Sequence, residues 1–542
     1  MNRETSRRTA AVAVPMAVML VIGSWGLDRG GIWRDEAATF QVARRTVPQI
    51  WRLLHEADAV HGLYYLLLRP VLAVHPGEVL LRLPSLLAAA VTAGLVAALG
   101  TRLARPRVGL WAGLLYAVTP MVGHYAQEGR SYAMVAAGAA GATLLLVRAA
   151  GGRSWTPYGV VLAFTCLLHE FAVLLLLAHA ATLALGRVPR RVWTRWLCAA
   201  GAVVLVLLPL ALVSHAQSAQ VAWLRSPGQG SVDRLVHQFA GPTDEILVPC
   251  LILICVALRR PWPKLPGREL PLPAVALPLL LVPPAVLMTV SQWSPLYDDR
   301  YVLYALAGAP LLAAAGADRI ARAVPRLPRA TAAAAGVLAV AVVCAHHLPL
   351  LRQDRSMAQR GGENLATASA LAARELRPGD PVLFLPSIGR RSALAYPRGF
   401  RGTRDVALAE SARTSGTLYG VEMGPEALRR QLAGLDRVWL VAEPYALRPT
   451  WYPGSPAERV KRAVVEEEFE PRREFRGSGV TLRLYERRPT ARPGGARGGI
   501  DMRLRRVGAT SRDGAAADRH ASALRGTGGA PTPPASPRPR RW

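Results

Sequence analysis

The segment TAAVAVPMAVMLVIGSWGL (Thr9–Leu27) is followed a few residues later by the motif Trp33-Arg34-Asp35-Glu36. The segment is apolar and long enough to cross a bilayer, because a spanning helix needs about 20 apolar residues. Three arginines precede it, and positively charged residues favour the cytoplasmic side of a membrane. The first helix is therefore predicted to deliver Asp35 and Glu36 to the outer face, where acidic residues at a membrane surface usually have a function.

The composition indicates a membrane protein with an additional polar part. Of the 542 residues 51% are hydrophobic, and the mean hydropathy is +0.21, which is too apolar for an ordinary soluble chain. A formal charge of +30 would suggest nucleic-acid binding in a soluble protein. Here the arginines lie mostly in short loops between apolar runs and in a basic tail, so we interpret the charge as membrane topology and expect no nucleic-acid partner. All five cysteines fall in apolar segments, without disulfide or metal spacing.

Apolar runs of spanning length predict about eleven membrane helices. They lie near residues 9–27, 79–101, 108–123, 131–150, 158–169, 171–186, 196–214, 244–258, 271–291, 300–317 and 330–348. Arginines occupy alternate loops between these runs, and acidic residues occupy the others. With the N-terminus in the cytoplasm, an odd number of spans places everything after His347 outside. We therefore expect a multi-pass protein of the cell (plasma) membrane.

The chain is predicted to have three parts. Residues 1–350 form the membrane domain, with a long first outer loop, 28–77, that lies on the membrane as two amphipathic helices. Residues 351–488 show the alternating pattern of a small extracytoplasmic α/β domain. Its predicted strands are 381–385, 437–441 and 480–485, and its predicted helices are 363–375, 425–433 and 456–469. Residues 489–542 are rich in Gly, Pro, Ala and Arg without periodicity, which predicts a disordered basic tail.

Several short motifs occur in an order that resembles a known superfamily. They are Trp33-Arg34-Asp35-Glu36-Ala37, His61-Gly62-Leu63-Tyr64-Tyr65, Glu78 with Leu81-Arg82-Leu83-Pro84-Ser85, Tyr125-Ala126-Gln127-Glu128-Gly129-Arg130-Ser131-Tyr132, and Arg300-Tyr301. Over about residues 9 to 350 the chain is similar to the glycosyltransferase family 39-like enzymes of the GT-C type, which include protein mannosyltransferases and lipid A aminoarabinose transferases. The chain departs from many relatives in having His61-Gly62 where they have two prolines before Leu-Tyr.

The resemblance implies an inverting glycosyltransferase with the GT-C fold. Such an enzyme moves a sugar, here expected to be mannose-like, from a polyprenyl-phosphate donor to a hydroxyl of an acceptor glycan, lipid or protein outside the membrane. Asp35 matches the family's catalytic carboxylate and is the expected base, and Glu36 is the second candidate or the group that orients it. The expected substrate-binding residues are His61, Tyr64, Arg82, Glu128, Arg130, Arg300 and Tyr301. Three of them, Arg82, Arg130 and Arg300, are candidates to neutralise the lipid phosphate.

Each arginine also has a simpler interpretation. Arg82 could pair with Glu78 one helical turn away, and Arg130 could pair with Glu128 or with the first outer loop. Arg300 could neutralise Asp298 or Asp299. Distant GT-C enzymes use divalent cations, but no clustered ligand set is visible in the sequence, so no metal and no other cofactor is expected. His169-Glu170 and His346-His347 are expected to be polar residues at helix ends.

The main alternative function is a transporter or flippase for a lipid-linked sugar. Such a protein would place ionisable residues or broken helices near the middle of the bilayer, where each charge costs roughly 2.5–3.5 kcal/mol. The predicted spans have apolar centres, and the polar groups gather at one face, which favours chemistry at that face. A binding or scaffold protein built around the C-terminal domain is the third possibility, and Asp35 would then be dispensable.

Overall fold

The computed structural model describes residues 3–260, 270–324, 328–355 and 364–489. Up to residue 355 it is helical. The helices are α1 Arg3–Ser24, α2 Arg34–Ala43, α3 Val47–Glu56, α4 Gly62–Val74, α5 Glu78–Leu103, α6 Pro106–Val118, α7 Pro120–Tyr125, α8 Tyr132–Ala150, α9 Thr156–Leu168, α10 Leu174–Gly186, α11 Arg190–Ala216, α12 Gln229–Ala240, α13 Asp244–Leu258, α14 Leu272–Val290, α15 Gly308–Ala323 and α16 Arg329–Asp354. A 3₁₀ helix, Asp299–Ala307, runs directly into α15.

Seven helices in the described ranges are long and apolar enough to cross a membrane, or eight if the bent pair α12 and α13 forms one broken span. Six of the seven are α1, α5, α8, α11, α14 and α16, and the seventh is the continuous run Asp299–Ala323. The remaining predicted segments are helical but shorter, as in α9 and α10. The protein is thus a multi-pass membrane protein, while the expected count of about eleven spans and the side on which each terminus lies stay predictions.

One predicted span is less apolar at its centre than we expected. His179 in the middle of α10 is fully buried, and its ring nitrogens lie 3.1 Å from the Thr143 hydroxyl and 3.0 Å from the Tyr158 hydroxyl. Trp196 Nε1 donates to the same Tyr158 oxygen at 3.1 Å. Because every polar group in this network has a partner, it joins α8, α9, α10 and α11 without leaving an uncompensated group in the apolar interior.

The first outer loop contains three helices, α2, α3 and α4, where the sequence predicted two. Thr46 and Gln49 form a capping box at the start of α3, so the sequence itself fixes where this helix begins. The helix is amphipathic, with Leu53 fully buried and Trp51 64% exposed. Helix α4 has 13 residues, which span about 20 Å at 1.5 Å each and are too few to cross a bilayer.

The C-terminal part of the described chain, residues 364–489, is built around a mixed five-stranded sheet. Its elements are α17 Leu365–Glu375, β1 Pro381–Leu385, α18 Arg391–Ala395, β2 Arg404–Asp405, β3 Leu408–Glu410, α19 Ala412–Ser415, β4 Val421–Glu422, α20 Pro425–Ala433, β5 Arg437–Ala442, α21 Pro456–Glu468, β6 Phe469–Gly477 and β7 Val480–Arg487. The strand order is β2-β1-β5-β7-β6, with β1 parallel to β2 and β5, and β7 antiparallel to β5 and β6. Strands β3 and β4 form a separate antiparallel pair.

Both faces of the central strands are covered by apolar side chains. In β1, Val382 and Phe384 pack with α17, whereas Leu383 and Leu385 pack with α20 and α21 on the other face. This explains the continuous apolar runs that predicted β1 and β5. The three predicted strands and three predicted helices agree with the structure to within a few residues. The predicted tail, 489–542, lies outside the described residues except for Pro489, and the predicted boundary near residue 350 stays a prediction.

The C-terminal part packs directly against the first outer loop. The Tyr396 hydroxyl donates to Glu78 Oε1 at 2.5 Å and accepts from the Ile32 amide at 2.8 Å. Gln41 in α2 donates to the Leu418 carbonyl at 2.8 Å, and the Leu418 side chain packs on the core formed by the membrane helices. The loop that carries Asp35 is therefore held between the helical part and the sheet.

Candidate active site

Helix α2 presents two adjacent acids in different directions. Trp33 has extended backbone geometry and the helix begins at the next residue, so Asp35 and Glu36 both lie in its first turn. Successive residues of an α-helix are about 100° apart around its axis, and the two carboxylates therefore meet different surroundings. Glu36 points into the protein, where its side chain is 1% exposed, whereas the Asp35 side chain is 17% exposed.

Glu36 is bound by Arg82 in a closed network. Arg82 Nε and Nη2 donate to the two Glu36 oxygens at 2.9 Å each, in the bidentate geometry that gives strong charge-assisted hydrogen bonds. The Gly129 amide also donates to Glu36 at 2.9 Å. This close approach needs glycine, because a Cβ at Gly129 would lie 2.6 Å from the Leu81 side chain.

The remaining Arg82 donors bind backbone carbonyls of the segment that joins α1 to α2. The acceptors are Leu27 at 3.1 Å, Arg29 at 3.0 Å, Gly30 at 3.2 Å and Gly31 at 3.3 Å. Arg82 is fully buried and its guanidinium is occupied by protein acceptors. The pairing with Glu78 that the sequence suggested is not formed; Glu78 binds Tyr396. This geometry suits Arg82 and Glu36 for holding the outer loop rather than for contacting a donor phosphate or taking a proton.

Asp35 faces three guanidinium groups. Arg300 Nη1 donates to Asp35 Oδ2 at 2.9 Å, Arg130 Nη2 lies 4.0 Å from the same oxygen, and Arg34 Nε lies 3.6 Å from Oδ1. Burial alone would raise the pKa of Asp35, but the charges of Arg130, Arg300 and Arg34 outweigh it and lower the pKa below its ordinary value. Asp35 is therefore ionised at neutral pH.

Arg300 is positioned by two aromatic rings and by an acid of its own segment. Its guanidinium lies 5.7 Å from the Tyr132 ring centre and 5.6 Å from the Tyr301 ring centre, within the range of cation–π attraction. Its Nε also lies 3.5 Å from Asp298, one of the two acids expected beside it. The other, Asp299, is bound by Arg234 of α12 and by the Tyr297 hydroxyl, and this fixes the backbone before Arg300.

Several buried polar atoms near this centre have no hydrogen-bond partner among the described residues. They include both carboxylate oxygens of Glu128, Nε of Arg130, and Nδ1 of His61 and of His169. Burial raises the pKa of Glu128 to about 7 against an ordinary value of 4.5. Unpaired buried polar groups are costly, so their concentration in one place indicates a site that is completed by a ligand.

Aromatic rings line the same region. The ring centres of His169 and Tyr301 are 4.9 Å apart, those of Tyr132 and His169 5.7 Å, and those of Phe171 and Tyr301 5.5 Å. The His61 ring lies 6.1 Å from His169. Rings packed in tilted and edge-on contacts at these distances form a preorganised aromatic wall beside the charged groups.

The structure thus gathers most of the predicted site residues. Asp35, Arg130 and Arg300 form its charged centre, and His61, Glu128 and Tyr301 surround it; Tyr64 is fully buried in the core behind them. Residues to which the sequence analysis gave no role are Tyr132, Phe171 and Arg234, and His169 was expected only as a polar helix end. Tyr132 stood inside a quoted motif, but no local pattern marks Arg234 or Phe171. Among the described residues no group of three or more His, Cys, Asp or Glu is arranged to hold a metal ion.

Comparison with known proteins agrees with this architecture. Residues 63–213 match the family described as dolichyl-phosphate-mannose-protein mannosyltransferase. No curated protein sequence matches the chain. Among solved structures, the chain is similar to ArnT from Cupriavidus metallidurans bound to undecaprenyl phosphate, with 15% identity, coverage of 88% of this chain and 98% of that one, and a TM-score of 0.56.

The apo structure of the same ArnT gives 14% identity, the same coverage of 88% and 98%, and a TM-score of 0.55. At such low identity the likeness concerns the fold, and it extends over both the helical part and the C-terminal sheet because nearly the whole of each chain is covered. The family match covers residues 63–213, which is less than half of the chain. The comparisons thus show a fold shared with ArnT over most of both chains and a similarity of residues 63–213 to the mannosyltransferase family.

Proposed function

We propose that the protein transfers a sugar from a polyprenyl-phosphate donor to an acceptor hydroxyl at the outer face of the membrane. The observation that carries this proposal is the convergence of Arg300 and Arg130 on Asp35, at 2.9 and 4.0 Å. Further nitrogen atoms of the site have no hydrogen-bond partner within the part of the chain that the structure describes. A base beside two cations is what an inverting transfer away from a phosphate requires. The undecaprenyl phosphate in the similar ArnT structure supports a lipid of this class.

Asp35 is the proposed base. As the acceptor oxygen attacks the anomeric carbon, the bond from that carbon to the phosphate oxygen breaks, and the acceptor's proton passes to an Asp35 oxygen. The electron pair of the broken bond leaves with the polyprenyl phosphate. Arg130 and Arg300 neutralise the charge that builds up on this leaving group, with no reorganisation needed because their positions are already fixed.

The lowered pKa of Asp35 fits this scheme once the donor is bound. A carboxylate that is stabilised by arginines is a weak base, and a good base has a pKa near the working pH. A donor phosphate would compete with Asp35 for Arg300 and Arg130, and losing part of their attraction raises the pKa of Asp35. Donor binding itself would thus activate the base.

Glu128 contributes in its protonated form. With a pKa of about 7 it is about half protonated in neutral solution and mostly protonated in mildly acidic solution, and the protonated form does not repel a phosphate bound to the neighbouring arginines. A protonated carboxyl group can also donate a hydrogen bond to a sugar oxygen. His61, Tyr64 and Tyr301 complete the proposed substrate-binding set, with Tyr301 in the aromatic wall beside the sugar.

The sugar is proposed to be mannose-like, following the description of the matching family, and the acceptor to be an envelope glycan, lipid or protein. The proposed orientation places the N-terminus in the cytoplasm and the C-terminal sheet outside, in the plasma membrane. Arg82 and Glu36 are proposed as positioning residues, which hold the backbone on which Asp35 sits.

The test is incubation of the purified protein in detergent with a panel of polyprenyl-phosphate sugars, with measurement of donor consumption and free lipid phosphate. One donor is expected to be consumed by the wild type and not by Asp35→Asn. A matched control is Asp436→Asn, because Asp436 is exposed and directly precedes β5 in the C-terminal sheet. Movement of the sugar lipid across a vesicle membrane without release of lipid phosphate would favour the transporter instead.

A further inference from the structure

A second cluster of positive charge lies where the end of α2 meets the C-terminal part of the chain. Arg44 and Arg45, just after α2, and Arg413 in α19 line a cavity of about 140 Å³ together with Gln41 and Ser411. Arg45 follows Asp35 by ten positions, which corresponds to about 15 Å at a helical rise of 1.5 Å per residue. The cavity is therefore separate from the Asp35 centre.

Among the residues that line this cavity, Arg45 has the most hydrogen-bond donors without a partner among the described residues. Its residue is 1% exposed, and its Nε and Nη1 atoms have no hydrogen-bond partner among the described residues. Only Nη2 is bound, to the Gln41 side-chain oxygen at 3.2 Å and to the Thr417 carbonyl at 2.9 Å. A guanidinium offers five N–H donors, so most of the donor capacity of Arg45, which lines the cavity, is unused among the described residues.

The charge of the cluster is uncompensated. None of the three arginines has an acid within salt-bridge distance among the described residues, and Arg44 instead stacks 4.8 Å from the Phe40 ring. Burial and the charge of Arg413 lower the pKa of Arg45 to about 10, and the same two causes lower the pKa of Arg44. A buried charge without a partner is strongly destabilising, so the cluster calls for an anion.

We propose that Arg44, Arg45 and Arg413 form a binding site for a phosphate group, supplied either as free phosphate or as the headgroup of an anionic lipid. Three guanidinium groups around a small cavity suit the several oxygens of a phosphate, because guanidinium donors bind such oxygens in pairs. The bound group would join α2 to α19 and so fix the C-terminal part over the loop that carries Asp35. This inference rests on the cavity and its charges and is independent of the proposed sugar transfer.

The first arm of the test uses inorganic phosphate and the full-length protein in detergent. Phosphate is expected to raise the thermal midpoint above that in sodium chloride of equal ionic strength, because a ligand that binds only the folded state stabilises it. Arg413→Glu supplies the missing negative charge at an exposed position, and it should raise the midpoint without phosphate and abolish the phosphate-dependent rise. The matched control is Arg429→Glu, since Arg429 on α20 is also exposed and does not line the cavity; it should keep the rise.

The second arm distinguishes the source of the phosphate. The protein is placed in nanodiscs of phosphatidylcholine with and without phosphatidic acid, and its midpoint is measured without added phosphate. A rise with phosphatidic acid that is lost in Arg413→Glu assigns the site to a lipid headgroup, whereas a response to inorganic phosphate alone assigns it to the free ion. A wild type that responds to neither, or an Arg413→Glu variant that responds like the wild type, overturns the proposal.

Discussion

Arg300 Nη1 lies 2.9 Å from Asp35 Oδ2, although the two residues are separated by 265 positions in the chain. Asp35 stands at the start of a short helix in the first outer loop, and Arg300 at the start of the 3₁₀ helix that leads into α15. Their contact joins the first and one of the last membrane-associated segments at one point. Together with the charge of Arg130, the contact keeps the pKa of Asp35 below its ordinary value.

Arg300 is expected to act on the donor phosphate. Arg300→Lys keeps the charge and loses the planar fork, so partial transfer should remain, whereas Arg300→Ala should weaken donor use much further. The measurement is the dependence of the transfer rate on donor concentration. As a control, Arg52→Ala removes an arginine at the exposed face of α3, and it should leave donor dependence unchanged. If Arg300→Ala shows the same dependence on donor concentration as the wild type, Arg300 does not bind the donor phosphate.

Glu36→Gln should destabilise the protein before it affects chemistry. It leaves the fully buried Arg82 without its counter-charge, and breaking one side of a buried pair costs about 3–5 kcal/mol. The double variant Glu36→Leu, Arg82→Met should recover much of that loss because it removes both charges. Thermal midpoints of the three proteins give the comparison. A stable Glu36→Gln protein that is inactive would instead assign Glu36 a direct role in transfer.

Because the pKa of Glu128 is raised, we expect the stability of the protein to depend on pH through this residue. Its folded-state pKa of about 7 is above its ordinary 4.5, so the folded protein holds more protons than the unfolded chain between these values. The contribution of Glu128 to stability should therefore be fully present below about pH 4.5, decrease by on the order of 3 kcal/mol as the pH rises to 7, and change little above that. Glu128→Gln should flatten this part of the profile. An unchanged profile in the variant would show that another group is responsible.

The topology can be tested with single cysteines in a background that lacks the natural five. Arg153→Cys, in a loop with exposed side chains, should react with a membrane-impermeant thiol reagent only after permeabilisation. Arg429→Cys on α20 should react in intact cells, because the C-terminal part is expected outside. The same reactivity at both positions would contradict the predicted odd number of spans.

The membrane helices and the central strands could be predicted because long apolar runs have few alternative structures. Strand β6, Phe469–Gly477, was not predicted because most of its residues are Arg and Glu, so it lacks an apolar pattern. It lies at the edge of the sheet, where charged side chains can remain exposed to solvent. The arginine pairs could not be assigned from spacing. Sequence neighbours suggested Glu78 for Arg82, whereas the partner is Glu36, 46 positions away. Likewise, the Tyr132 ring packs on Arg300, and Arg234 binds Asp299 beside it. Both contacts join residues far apart in the sequence and are made only in the folded chain.

The most direct test of the central claim is the rate of sugar transfer by Asp35→Asn, measured with the donor that the wild type consumes. The amide keeps the size of the side chain and loses the proton acceptor, so the rate should fall by about two orders of magnitude or more, while the protein remains folded and inserted. Thermal midpoint and elution profile serve as the folding controls. Transfer near the wild-type rate by a correctly folded Asp35→Asn protein would contradict the assignment of Asp35 as the base.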